Sequence, residues 1–168
     1  MKYRMYFFVP YNISDIQKGI QAGHAALEYV ENYGNTSIYH SFITNSKTWI
    51  VLNGGTTRDF KDGIDGFGDM NDIRSQLSSN NIAHASFREP DLNYALTAIC
   101  FLADERVWDF ENYPDYDGDV YEKSWVMRMG AMPALQIEPE KIYKDWVEFI
   151  GGDKNVFLRS LIRDKRLA

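Results

Sequence analysis

Cysteine is almost missing from this chain: Cys100 is the one thiol in 168 residues. With no intrachain partner it excludes a disulfide scaffold and points to a reducing compartment. Long apolar runs are also missing. The uninterrupted stretches are several residues long, far below the ~20 that a membrane-spanning helix needs. The start, Met1 to Pro10, carries Lys2 and Arg4 but too brief an apolar stretch for a secretion signal. These absences give the expectation of a cytoplasmic protein with no membrane association. Metal-ligand spacing is lacking as well, because His40 and His84 have no partner at zinc-finger distances. No internal repeat or low-complexity segment interrupts the chain, so it reads as a single domain.

What is present is aromatic and unevenly charged. Aromatic residues make up 15% of the chain and apolar residues 45%, which excludes wholesale disorder and allows a well-filled core. The net charge is −6, so the average field repels nucleic acid. That charge is local. Residues 1–103 carry net −2, residues 104–153 net −8 and residues 154–168 net +4. The acidity therefore belongs to one segment and the basic tail is a separate feature.

Residues 3–9 read as a first strand that Pro10 ends. Ser14 and Gln17 stand in capping-box spacing at the start of a helix over 15–32. Ile16, Ile20, Gly23, Leu27 and Val30 recur at helical spacing, which predicts that this face packs on the sheet. Thr48 to Leu52 is a second strand, continuous enough in apolar character to predict a central position. Residues 54–68 hold five glycines and read as a long loop without a phosphate-loop pattern. Met70, Ile73 and Leu77 mark a second helix, Ile82 to Phe87 a third strand, and Leu96 to Leu102 a fourth. The last two strands have no crossover helix between them. The order predicts a three-layer α/β/α fold with a small mixed four-stranded sheet. Residues 104–168 read as an acidic, aromatic extension with two C-terminal helices packed on the core. One starts at Pro139, and the other is capped by Asp153 with Phe157, Leu158, Leu161 and Ile162 inward.

Two places could carry chemistry. Gln17, Gln21, His24 and Glu28 form a polar stripe on the first helix, and Lys18 points about 100° away from Gln17. A His beside Gln and Glu can move protons, and Lys or Gln near a helix start can bind a phosphate or carbonyl. Equally, such a stripe suits an ordinary helix edge. The second place is the link Arg88-Glu89-Pro90-Asp91-Leu92-Asn93 between two core strands, where Glu89 and Asp91 offer carboxylates. Asp115-Tyr116-Asp117-Gly118-Asp119 begins like a calcium loop but has Val126 where the bidentate Glu belongs, so no metal is expected.

The stretch Gln17 to Ala26 following a first strand resembles the first-helix signature of the type 2 peptidyl-tRNA hydrolases, the archaeal and eukaryotic type. That signature is a Lys, then Ala-Ala-Gln, two residues, and His-Ala-Ala. Gln21, His24, Ala25 and Ala26 match it position for position. Glu89 to Leu92 followed by Leu96 to Ile99 is similar to the family's loop and last strand, with Thr97 on the family's Thr. The resemblance spans residues 3–102. The family's Lys falls on Gln17, with Lys18 one place later, and its Asp-x-x-x-Thr-Gln loop is not reproduced.

What the resemblance implies is hydrolysis of the ester between a peptide and tRNA, without a cofactor. Lys18, Gln21, His24 and Thr97 are then the catalytic candidates. Gln17, Arg88, Glu89, Asp91, Arg159 and Arg163 are the candidates for binding substrate. The alternative is a catalytically inactive binding or regulatory protein on the same scaffold, whose acidic aromatic segment 104–121 meets a basic protein surface. Expected partners are thus tRNA, a basic protein, or a second copy of the chain in a homodimer.

Overall fold

The longest apolar stretch of the chain becomes the centre of the sheet. In the computed structural model, which describes residues 1–57, 68–118 and 139–168, β4 (Ala95–Asp104) is buried along its whole length except at Asp104. It lies between β1 (Tyr3–Val9) and β3 (His84–Glu89), antiparallel to both. A parallel neighbour, β2 (Thr48–Asn53), pairs with the far side of β1. The strand order is β2-β1-β4-β3, a mixed four-stranded sheet.

Alternation then sorts side chains onto two faces. Met5, Phe7 and Val9 of β1 meet Ala98, Cys100 and Leu102 of β4 on one face, under α1 (Asp15–Tyr33) and α2 (Ser37–Asn45). Tyr6 and Phe8 meet Ile99 and Phe101 on the other. There α3 (Asp69–Ser79) covers the sheet with Met70, Ile73 and Leu77, α4 (Glu105–Trp108) with Val107, and α6 (Asp153–Arg163) with Leu158 and Leu161. A further helix, α5 (Pro139–Phe149), precedes α6. The fold is α/β, with helices on both faces of the sheet. Fully burying each of Phe7, Phe8 and Phe101 contributes about 1.5–3 kcal/mol. Gly54, at the end of β2, passes so close under α3 that a Cβ there would collide with Met70 Sδ.

Several sequence expectations are corrected. The Ile16, Ile20, Leu27 and Val30 face of α1 does not pack on the sheet, and all four side chains are exposed. The buried face is Gln21, Ala22, Ala25, Ala26 and Tyr29. Bulk comes instead from the sheet and α2, through Phe7, Phe87 and Phe42, so small helix residues fit against it. β2 is an edge strand rather than a central one, and its open side is closed by the chain's last residues. Asn53 N–H donates to Arg166 O at 2.9 Å and Ala168 N–H to Val51 O at 3.0 Å, around a bridge between Leu52 and Leu167. Helix α2, capped by Thr36 onto Tyr39 N–H, lies in a stretch with no earlier helix signal. Asp153 is the first residue of α6 rather than its cap, which is Gly152. The loop residues 58–67 and the last residues, 119–121, of the acidic aromatic segment lie outside the described residues.

Candidate functional site

The start of α1 is set by chemistry read directly from the chain. Ser14 Oγ accepts from Gln17 N–H, and Gln17 Oε1 accepts from Ser14 N–H at 3.1 Å. This capping box engages the exposed Gln17 side chain in starting the helix. One residue on, Lys18 turns to the inward side of α1, with its side chain only 16% exposed. Its ammonium donates to Asp15 Oδ1 at 3.0 Å. Lys18 and Gln21, three residues apart, are neighbours along that side of the helix.

Gln21 is buried and joins three elements. Its Nε2–H donates to Glu89 Oε2 at 2.6 Å. Its Oε1 accepts from the Thr97 hydroxyl, also at 2.6 Å. Both ends of the amide are therefore committed, which fixes its orientation. Thr97 is fully buried.

The geometry that brings Thr97 to Gln21 is a break in the ladder. Phe87 pairs with Ala98 and Arg88 with Leu96, so Thr97 is skipped in the register between β3 and β4. Strict alternation would place Thr97 with Ile99 and Phe101, away from α1. The extra residue turns it onto the α1 face beside Ala98 instead, as β-bulges do. On β3 the alternation runs undisturbed through Ala85 and Phe87 to Glu89, which brings the carboxylate under α1.

His24 lies one turn beyond Gln21 and stacks on Phe87, with ring centroids 4.4 Å apart and planes at 16°. It is half-buried, so one edge stays accessible. The link after Glu89 is a 3-10 turn, Pro90–Leu92, closed by Asn93 and Tyr94 in the left-handed region with φ of 50° and 56°. A left-handed Tyr is costly and persists because the surroundings enforce it. Tyr94 N–H donates to Glu89 O at 3.0 Å, and Arg88 Nη1 donates to Tyr94 O at 3.1 Å. Arg88 thus braces the turn, while Asp91 points to solvent.

The remaining candidates lie elsewhere. Arg159 is 2% exposed, and its guanidinium bonds Asp115 Oδ1, Tyr113 O and Arg106 O. It is an internal clamp on the face of the sheet opposite α1. Arg163 is half-exposed and pairs with the same Asp115. Arg166 lies beyond α6, in the tail whose backbone pairs with β2. Asp115, first of the calcium-like run, is likewise taken up by arginines, and Asp119 lies outside the described residues. Among the described residues no group of three or more His, Cys, Asp or Glu is arranged to hold a metal ion.

Sequence reasoning missed Phe87 as the support of His24. Its signal was the alternation Ala85-Phe87-Glu89 on a strand facing α1. It also missed the cluster of Tyr116, Tyr143 and Trp146, of which the last two stand at i and i+3 on α5. Beside the site, burial pushes the Cys100 thiol up to about 12, and its S–H meets Ala25 O at 3.1 Å. Burial also raises Tyr29 above the usual phenol value. No family model and no curated protein matches this chain.

Proposed function

We propose that the protein is an ester hydrolase of the peptidyl-tRNA hydrolase type, with its reaction centre at Gln21, Glu89 and Thr97. The observation that supports this reading is the hydrogen-bond chain from Thr97 through Gln21 to Glu89, with both links at 2.6 Å. It joins the three segments that carry the resemblance: the first helix, the loop and the last strand.

In this reading Glu89 takes a proton from the attacking water. Gln21 keeps one carboxylate oxygen engaged and holds the other toward the water. The water oxygen bonds to the ester carbonyl carbon. The bond from that carbon to the ribose oxygen then breaks, and the ribose oxygen receives the proton from Glu89. Lys18 and the accessible edge of His24 supply donors for the carbonyl oxyanion or the terminal phosphate. Thr97 orients Gln21.

The test is release of the peptide from a model peptidyl-tRNA. The wild-type chain is expected to exceed background, with Glu89→Gln slowed by at least about 100-fold and His24→Ala slowed less. Absence of turnover above background overturns the proposal. It would select the second reading, a non-catalytic binding protein, which the exposed row Ile16, Ile20, Leu27 and Val30 beside the site favours.

A further inference from the structure

On the side of the sheet opposite α1, helices α5 and α6 and the segment around Asp115 enclose an open cavity of about 240 Å³. Its walls are of two kinds. Tyr116, Tyr143 and Trp146 form an aromatic wall, with ring centroids 5.2–5.7 Å apart. Arg159 and Arg163 form a cationic wall, with Asp115 between them.

Both walls are held in place. The Trp146 Nε1–H donates to Pro114 O at 3.1 Å, which anchors the indole. Arg159 is fixed by its bonds to Asp115 Oδ1, Tyr113 O and Arg106 O, and Asp115 is fixed in turn. Arg163 is different: half-exposed, it carries five N–H donors, and the bond to Asp115 at 2.5 Å uses one of its terminal nitrogens. Two guanidiniums face one carboxylate, so these three groups leave a net positive charge.

The class of ligand follows from the walls. A methylated ammonium is excluded, because the rings contact one another with no gap for a cation between them, and the guanidiniums repel it. A purely apolar ligand would make no use of the Arg163 N–H donors that the bond to Asp115 leaves open. The cavity is smaller than the roughly 300–1,000 Å³ of drug-sized sites, so it suits one ring system and one small anionic group. Aromatic faces next to arginine are how proteins take up unpaired bases with their phosphates. We propose that this cavity binds a single nucleotide unit, its base against Tyr143 and Trp146 and its phosphate on Arg163. The unit is either a free mononucleotide or one residue of a single strand. The proposal stands apart from the hydrolase reading, because it uses the other face of the sheet.

Calorimetric titration tests it with AMP, GMP, CMP, UMP, adenosine, choline and a single-stranded hexanucleotide. At least one monophosphate is expected to bind, with adenosine at least about tenfold weaker than AMP. Arg163→Ala and Tyr143→Ala, both at exposed positions, are each expected to weaken nucleotide binding about tenfold or more while keeping the wild-type thermal midpoint. A hexanucleotide that binds more tightly than any monophosphate identifies a strand as the source, and equal or weaker binding identifies the free nucleotide. The proposal is overturned by no heat from any nucleotide or from the hexanucleotide, by adenosine binding as well as AMP, by choline binding in their place, or by affinity that both substitutions leave unchanged.

Discussion

Ala25 and Leu27 stand two positions apart on α1 and have opposite surroundings. Ala25 is fully buried against Cys100, and Leu27 is 69% exposed. Hydrophobicity alone ranks them the other way round. Leu27→Gln is therefore expected to stay within about 0.5 kcal/mol of wild type, whereas Ala25→Leu overpacks the sheet face and costs about 1–3 kcal/mol. Urea unfolding of the two variants checks this, and a larger loss from Leu27→Gln would refute the observed helix orientation. The same scale explains why Gln17 and Lys18 could not be assigned from spacing alone. Both are polar and adjacent, yet Gln17 is occupied by Ser14 while Lys18 turns inward. A one-residue step is about 100° of helix, so the choice depends on which face the sheet takes.

At the scale of elements, connections carry information that the elements themselves do not. Helix α3 begins with Asp69, whose carboxylate accepts from Thr56 N–H and Thr56 Oγ1–H, each at 2.9 Å. Those two bonds hold the Asp69 carboxyl below its ordinary value of 3.8. A carboxyl depressed by folding stabilises the native state above its unfolded value, and that contribution is lost as pH falls through the lower folded value. Stability of the wild-type chain is thus expected to fall more steeply below about pH 3.8 than that of Asp69→Asn, whose amide oxygen keeps the acceptor without the charge. Urea midpoints measured from pH 6 down to pH 2 decide this, and parallel curves would refute it. The C-terminal tail, bridged to β2 at Leu167, is a second connection of this kind. Its pairing with β2 covers an edge that would otherwise offer unpaired N–H and C=O groups. The apolar run of β2 correctly marked a strand, but nothing local distinguishes a centre from an edge closed by residues more than a hundred positions away.

For the molecule as a whole, Cys100 is a natural reporter. It lies in the middle of the central strand, and burial lifts its thiol to about 12, so no thiolate forms in the native state near neutrality. At pH 8 a thiol-reactive disulfide reagent is expected to label the native chain at least about 100-fold more slowly than the urea-unfolded chain, through global opening. Fast native labelling would mean that β1 and β4 separate locally. The sequence by itself determined the strands β1, β2, β3 and β4, the capping box that starts α1, and the inward residues of α3 and α6. Each of these depends on neighbours within a turn or along a strand. Only the tertiary structure decided which face of α1 is buried, which strand lies at the edge, and that Thr97 meets Gln21. The physical reason is clearest at Thr97: strict alternation points it away from α1. A single residue skipped in the β3–β4 register reverses that direction, and a register exists only once both strands are side by side.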